Sequence, residues 1–145
     1  MFVQCLICVP QDEASAIGRF QALREACRAA LRRQPTLAAA LLFNGSSTLA
    51  LLEGEADSVH GLHQMLRNLA PDLSDLAWLA RADTSPPVAV PMRVVGPPLR
   101  ALQPGRCRLG YLAEDGGGTA LQRPGQGAVE RIQLFMAMLA ASDLD

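Results

Sequence analysis

Two uncharged apolar runs on either side of a glycine-containing turn are the strongest constraint in this chain. Leu37–Phe43 is followed by Asn44-Gly45-Ser46-Ser47 and then by the run Thr48–Leu52. Asn and Gly tolerate positive φ and Ser bonds to nearby backbone, so the four central residues supply turn chemistry. Two apolar runs around such a turn predict a β-hairpin. Neither run alternates polar with apolar residues, so both faces of the hairpin must be covered. Glu53-Gly54-Glu55 is expected to end the second strand, and Asp57 or Ser58 to cap a helix. Val59, Leu62, Leu66 and Leu69 recur at helical spacing as its apolar face, with Pro71 just past its end.

The remaining elements follow from the same periodicities. Phe2–Val9 is apolar apart from Gln4 and reads as a buried first strand stopped by Pro10. Asp12 or Ser15 is expected to cap a helix running to about Gln34, with Ala16, Phe20, Leu23, Cys27, Ala30 and Leu31 on its apolar side. Arg24, Arg28 and Arg32, four residues apart, form one ridge on the other side. Asp75–Ala80 predicts a fourth strand, and Val88–Val95 a fifth whose Pro91 marks an edge or a bulge. From Gly96 onward Gly and Pro become frequent, Cys107–Ala113 fits a short strand or a helix, and Glu114–Thr119 reads as a flexible loop. A last helix from about Gln126 to Ala141 carries Val129, Ile132, Phe135, Met136 and Leu139 on one face. The order is β-α-β-β-α-β-β. It predicts an α+β, ferredoxin-like sheet with two helices on one face, and a C-terminal helical extension suited to cover the other. Residues 1–96 are expected to form this domain, and 97–145 a Gly/Pro-rich linker and a capping helix.

Composition removes several function classes. A length of 145 residues suits one domain with a single core, and 50% hydrophobic residues argue against disorder. A formal net charge of −1 gives no overall field toward nucleic acid or anionic lipid. No apolar run is long enough to span a membrane, and MFVQCLICV lacks the basic flank of a secretory signal. A cytoplasmic location is therefore expected, with the 4 cysteines reduced.

The central stretch Leu51-Leu52-Glu53-Gly54, following this hairpin and preceding the helix at 56–69, resembles the signature of the BLUF family, whose domains sense blue light with a bound flavin. The element order agrees with that family over about residues 1–96. The resemblance implies that three side chains would contact the flavin: a Tyr on the first strand, an Asn near the end of the first helix and a Gln two residues before Leu-Glu-Gly. Counted without gaps, these positions fall on Cys8, Arg32 and Ala50. A thiol offers no redox-active phenol, a methyl group offers no hydrogen bond, and a guanidinium donates but cannot accept. A flavin bound there would leave ring polar atoms unpaired at a cost of about 1–3 kcal/mol per group.

The resemblance thus implies a non-photoactive regulatory or protein-interaction domain without flavin, acting on a protein partner or as a homodimer. The alternative is a flavin- or nucleotide-binding blue-light sensor, holding FAD or another nucleotide in an atypical pocket through Arg24, Arg28 or Arg32. No catalytic residue is assigned, because no nucleophile and base are paired by the sequence, and no metal is assigned either. Cys5 and Cys8, three apart on a strand, point to opposite faces and cannot share an ion. His60 and His63 lie three apart on a helix with no completing ligands nearby in sequence, and read as surface or half-buried residues. Gly116-Gly117-Gly118 is followed by no Lys-Ser/Thr and reads as linker. No nucleic-acid reading motif and no membrane segment are present.

Overall fold

The apolar runs fold into strands that the two amphipathic helices cross. The computed structural model describes residues 1–11, 16–44, 47–81, 100–112, 121 and 125–144. Its elements in order are β1 (Phe2–Pro10), α1 (Ala16–Arg33), β2 (Ala38–Phe43), β3 (Ser47–Glu55), α2 (Ala56–Leu69), β4 (Ser74–Arg81), β5 (Cys107–Tyr111), α3 (Ala128–Ala141) and β6 (Asp143–Leu144). The sheet runs β4-β1-β3-β2-β5-β6. The first four strands pair antiparallel, the ferredoxin-like arrangement. β5 adds to β2 in parallel, aligning Ala39 with Cys107 and Phe43 with Tyr111. Cys107–Ala113, open in the sequence between strand and helix, is therefore strand at residues 107–111. The strand expected at Val88–Val95 lies outside the described residues. So do the cap candidates Asp12 and Ser15, the turn residues Gly45 and Ser46, and the loop Glu114–Thr119.

Both sheet faces are covered, as the unbroken apolar runs require. On one face Val3, Cys5, Ile7, Val9, Leu41 and Leu52 pack with Leu23, Cys27 and Leu31 of α1 and Val59, Leu62 and Leu66 of α2. On the other, Leu6, Cys8, Ala40, Leu42, Leu49 and Leu51 pack against Ile132, Phe135 and Leu139 of α3. The C-terminal helix thus seals its own sheet. It sits close: a Cβ on Gly110 would meet Ser142 Oγ and come within 3.0 Å of both Leu139 and Leu42. Arg131 ties α3 to the edge strand by donating to the Leu76 carbonyl at 2.5 Å.

Leu-Glu-Gly does not end β3, which continues through Glu55. Leu52 is core, and Glu53 is fully buried. The Glu53 carboxylate accepts from Gln4 Nε2 at 3.0 Å, Ala101 N at 3.0 Å and Leu102 N at 2.6 Å. A charged side chain inside the sheet is possible because these donors satisfy it. Gly54 has φ +152°, and a Cβ there would lie 3.3 Å from Leu37 Cα, so the position favours glycine. The helix that follows starts at Ala56 and has no side-chain cap bond, so neither Asp57 nor Ser58 caps it. Asp57 lies instead in the first turn, where its charge favours the helix dipole. Leu69, expected on the apolar face, is 49% exposed, while His63 is buried.

Replacing Glu53 by Leu leaves two backbone N–H groups and the Gln4 amide without their acceptor. The expected loss is about 3 kcal/mol or more, read from urea unfolding. Glu53→Gln keeps one acceptor oxygen and is expected to lose less. Equal stability of Glu53→Leu and the parent chain would show that the carboxylate does not hold the segment.

Candidate functional site

Packing on the helix-covered face decides what can bind between α1 and α2. The floor of that space is Ile7, Ala50 and Leu52, and its walls are Leu23, Cys27, Leu62 and Leu66, each exposed by 2% or less. Antiparallel register pairs Ala50 with Ile7. Strand alternation turns Cys8 to the other face, where it packs in the α3-side core. Cys8 and Ala50 therefore face opposite sides of the sheet, and the β1 residue beside Ala50 is Ile7. Arg32 is exposed near the end of α1. The structure therefore does not bring Cys8, Arg32 and Ala50 together. The residues at this floor do not fit a flavin ring, since Ile7, Ala50 and Leu52 offer no side-chain hydrogen bond to its polar edge.

The other two arginines of the ridge behave differently. Arg24 and Arg28 overhang a pocket of about 710 Å³ whose floor is Ala39 and Leu109 and whose far wall includes Arg106. α1 lies over β2 and β5, and α2 over β1 and β3. The pocket is thus on the side of α1 away from α2. Burial raises the Cys107 thiol in its lining, while the charges of Arg28 and then Arg24 pull it down. Arg106 was absent from the sequence reading, because only the parallel pairing of β5 with β2 brings its segment opposite α1.

A second cluster joins three elements. Cys5 Sγ, a His63 ring nitrogen and an Asp75 carboxylate oxygen lie within 4.8 Å of one another. His63 Nε2 is 2.7 Å from Asp75 Oδ1, and Arg67 approaches the same carboxylate at 3.7 Å. His60 stacks on Trp78 with centroids 4.9 Å apart, and His63 meets the same ring edge-on at 5.0 Å. His63 is therefore neither a surface nor a half-buried residue, and its partners come from β1 and β4. Burial, and next the Asp75 charge, push the Cys5 thiol far above its ordinary range, with Arg67 opposing. A thiol held neutral in this way is a poor nucleophile and a poor metal ligand. Burial also raises the Asp75 carboxyl, but hydrogen bonds from His63 and Trp78, aided by the His63 and Arg67 charges, hold it below the usual range. The chemistry here is that of a positioned His–Asp pair joining α2 to β4.

Solved structures place this architecture. BlsA in its photo-activated state superposes with a TM-score of 0.59 at 13% identity, covering 100% of this chain and 99% of that one. A bacterial light-regulated adenylyl cyclase gives 0.55 at 12% identity over 97% of this chain and 33% of that chain. Klebsiella pneumoniae BlrP1, in its calcium and cyclic-diGMP complex at pH 8.0, gives 0.53 at 15% identity over 97% of this chain and 34% of that chain. The chain has the BLUF fold. No family profile and no curated protein matches the sequence. The chain spans about a third of the length of the cyclase and of BlrP1. At these identities the likeness is one of fold, and Leu52-Glu53-Gly54 is the stretch where the BLUF resemblance read from the sequence acquires a physical role.

The depressed Asp75 carboxyl fixes the sign of a pH effect. Its contribution to stability is complete above the unfolded carboxylate range near pH 4 and is lost as pH falls through the lower folded value. Asp75→Asn is expected to lower the urea midpoint at pH 7, with the deficit shrinking at pH 3. An undiminished deficit at pH 3 would show that the carboxylate charge is not what stabilises this contact.

Proposed function

We propose that this chain is a regulatory domain on the BLUF fold that works without flavin, through contacts with a protein partner or a second copy of itself. The observation that carries this reading is the space between α1 and α2. Ile7 and Ala50 pair across its floor, and leucines close it. A flavin ring seated there would displace well-packed apolar side chains and meet no partner for its polar edge. The photochemical response implied by the family also needs a phenol and a side-chain amide at this floor, and neither is supplied by Ile7, Cys8 or Ala50.

A domain of this kind carries no chemistry of its own. The thiols of Cys5, Cys8 and Cys27 are buried, and burial raises each of them. A cytoplasmic setting agrees with free cysteines. Among the described residues, no helix is long and apolar enough to cross a membrane.

The test is the visible absorption of the purified chain after incubation with excess FMN or FAD and removal of free flavin. A colourless protein is expected. Flavin bands that stay with the protein would overturn the proposal in favour of a flavin sensor, and illumination would then ask whether any spectral shift occurs. Light scattering on the same sample separates self-association from dependence on a different partner.

A further inference from the structure

We propose that the pocket between α1 and β5 binds a small phosphate ester, and that nucleoside diphosphates are the class it fits. The inference does not depend on the loss of flavin, because this pocket lies across α1 from the space a BLUF flavin would need.

The charge pattern is the first reason. Arg24, Arg28 and Arg106 stand around one concavity, and no Asp or Glu lines it among the described residues. Nor does any of the three form an ion pair among the described residues. In a chain of net charge −1, such a concentration of uncompensated cations is local and directed. Arg24 Nε is buried without an acceptor among the described residues. Buried donors of this kind are normally satisfied, and a phosphate oxygen is an acceptor that guanidinium groups match in geometry as well as in charge. Arg106 Nη1 also donates to Gln103 Oε1 at 3.3 Å on the exposed rim of the pocket.

Size and lining narrow the ligand. A volume of about 710 Å³ falls within the range of small-molecule sites, about 300–1,000 Å³. The floor of Ala39 and Leu109 is apolar, which suits a base or sugar face better than a bare ion. Cationic walls around an apolar floor complement a ligand with charge at one end and a flat organic group at the other. Arg108 also borders the pocket, but strand alternation with Cys107 and Leu109 turns its side chain to the opposite face, so it is given no role.

Isothermal titration with ADP and GDP, beside inorganic pyrophosphate and adenosine, tests the assignment. ADP or GDP is expected to bind, adenosine to give no heat, and pyrophosphate to bind more weakly than either nucleotide. Arg28→Ala and Arg106→Ala are each expected to weaken binding by about tenfold or more, and added salt to weaken it further. Arg33→Ala, on the exposed surface of the same helix, is expected to bind as the parent does. Circular dichroism and thermal unfolding establish that the variants are folded.

A second readout needs no variant. Cys107 lines the pocket and is the one cysteine of the chain that is not fully buried. Bound ADP is expected to slow its reaction with a thiol reagent. Binding that is indifferent to both Arg variants, no heat at millimolar ADP and GDP, or an unchanged Cys107 rate at saturating ADP would each overturn the site. Equal affinity for pyrophosphate and ADP would overturn the nucleoside part of the assignment.

Discussion

The Glu53 carboxylate is the point on which the second half of the molecule depends. It sits in the middle strand of the antiparallel core, fully buried, and its acceptors are filled by Gln4 from the neighbouring strand and by the backbone at 101 and 102. Those backbone groups begin the segment that leads into β5. Gly105 N then bonds to Leu37 O at 2.7 Å, and Ala39 N to Arg106 O at 3.2 Å, so the segment is laid along β2 before the strand starts. One buried acid therefore helps to fix a parallel strand that no hairpin joins to β2. Desolvating the acid is costly, and the three donors offset that cost only while the segment is in place.

The sequence was most legible where periodicity alone decides. The uncharged runs at 37–43 and 48–52 required two covered faces, and α1, α2 and α3 supply them. Reading failed where a residue's meaning depends on a distant partner. Glu53 looked like a strand end because a carboxylate is normally solvated, and the donors that bury it lie 49 residues away in the case of Gln4. His63 lacked nearby ligands in sequence, yet Cys5 and Asp75 reach it from two strands. The short β5 contains an arginine and a glycine, and no local preference distinguishes it from helix or loop.

The comparison with the BLUF signature shows how far ungapped counting carries. It named Cys8 and Ala50 as members of one site, but in the sheet they face opposite sides, since one residue of register inverts a strand. The β1 residue paired with Ala50 is Ile7. The arginine ridge was visible as a stripe, but its division into an exposed Arg32 and a pocket-lining Arg24 and Arg28 depends on where β5 lies. Glu53 and Gly54 thus hold the frame of the sheet, while Ile7 and Ala50 lie in its core.

Strand β5 is a party wall. Cys107 and Leu109 face the arginine-lined pocket, while Gly110, the next residue along, backs directly onto Leu139 and Ser142 at the end of α3. Close-packed interiors transmit displacement because they have no slack to absorb it. A shift of β5 away from α1 has no free space to enter, since even a methyl group is excluded at Gly110. A displacement of β5 on the pocket side would therefore press on the C-terminal helix, because the two share one close-packed contact.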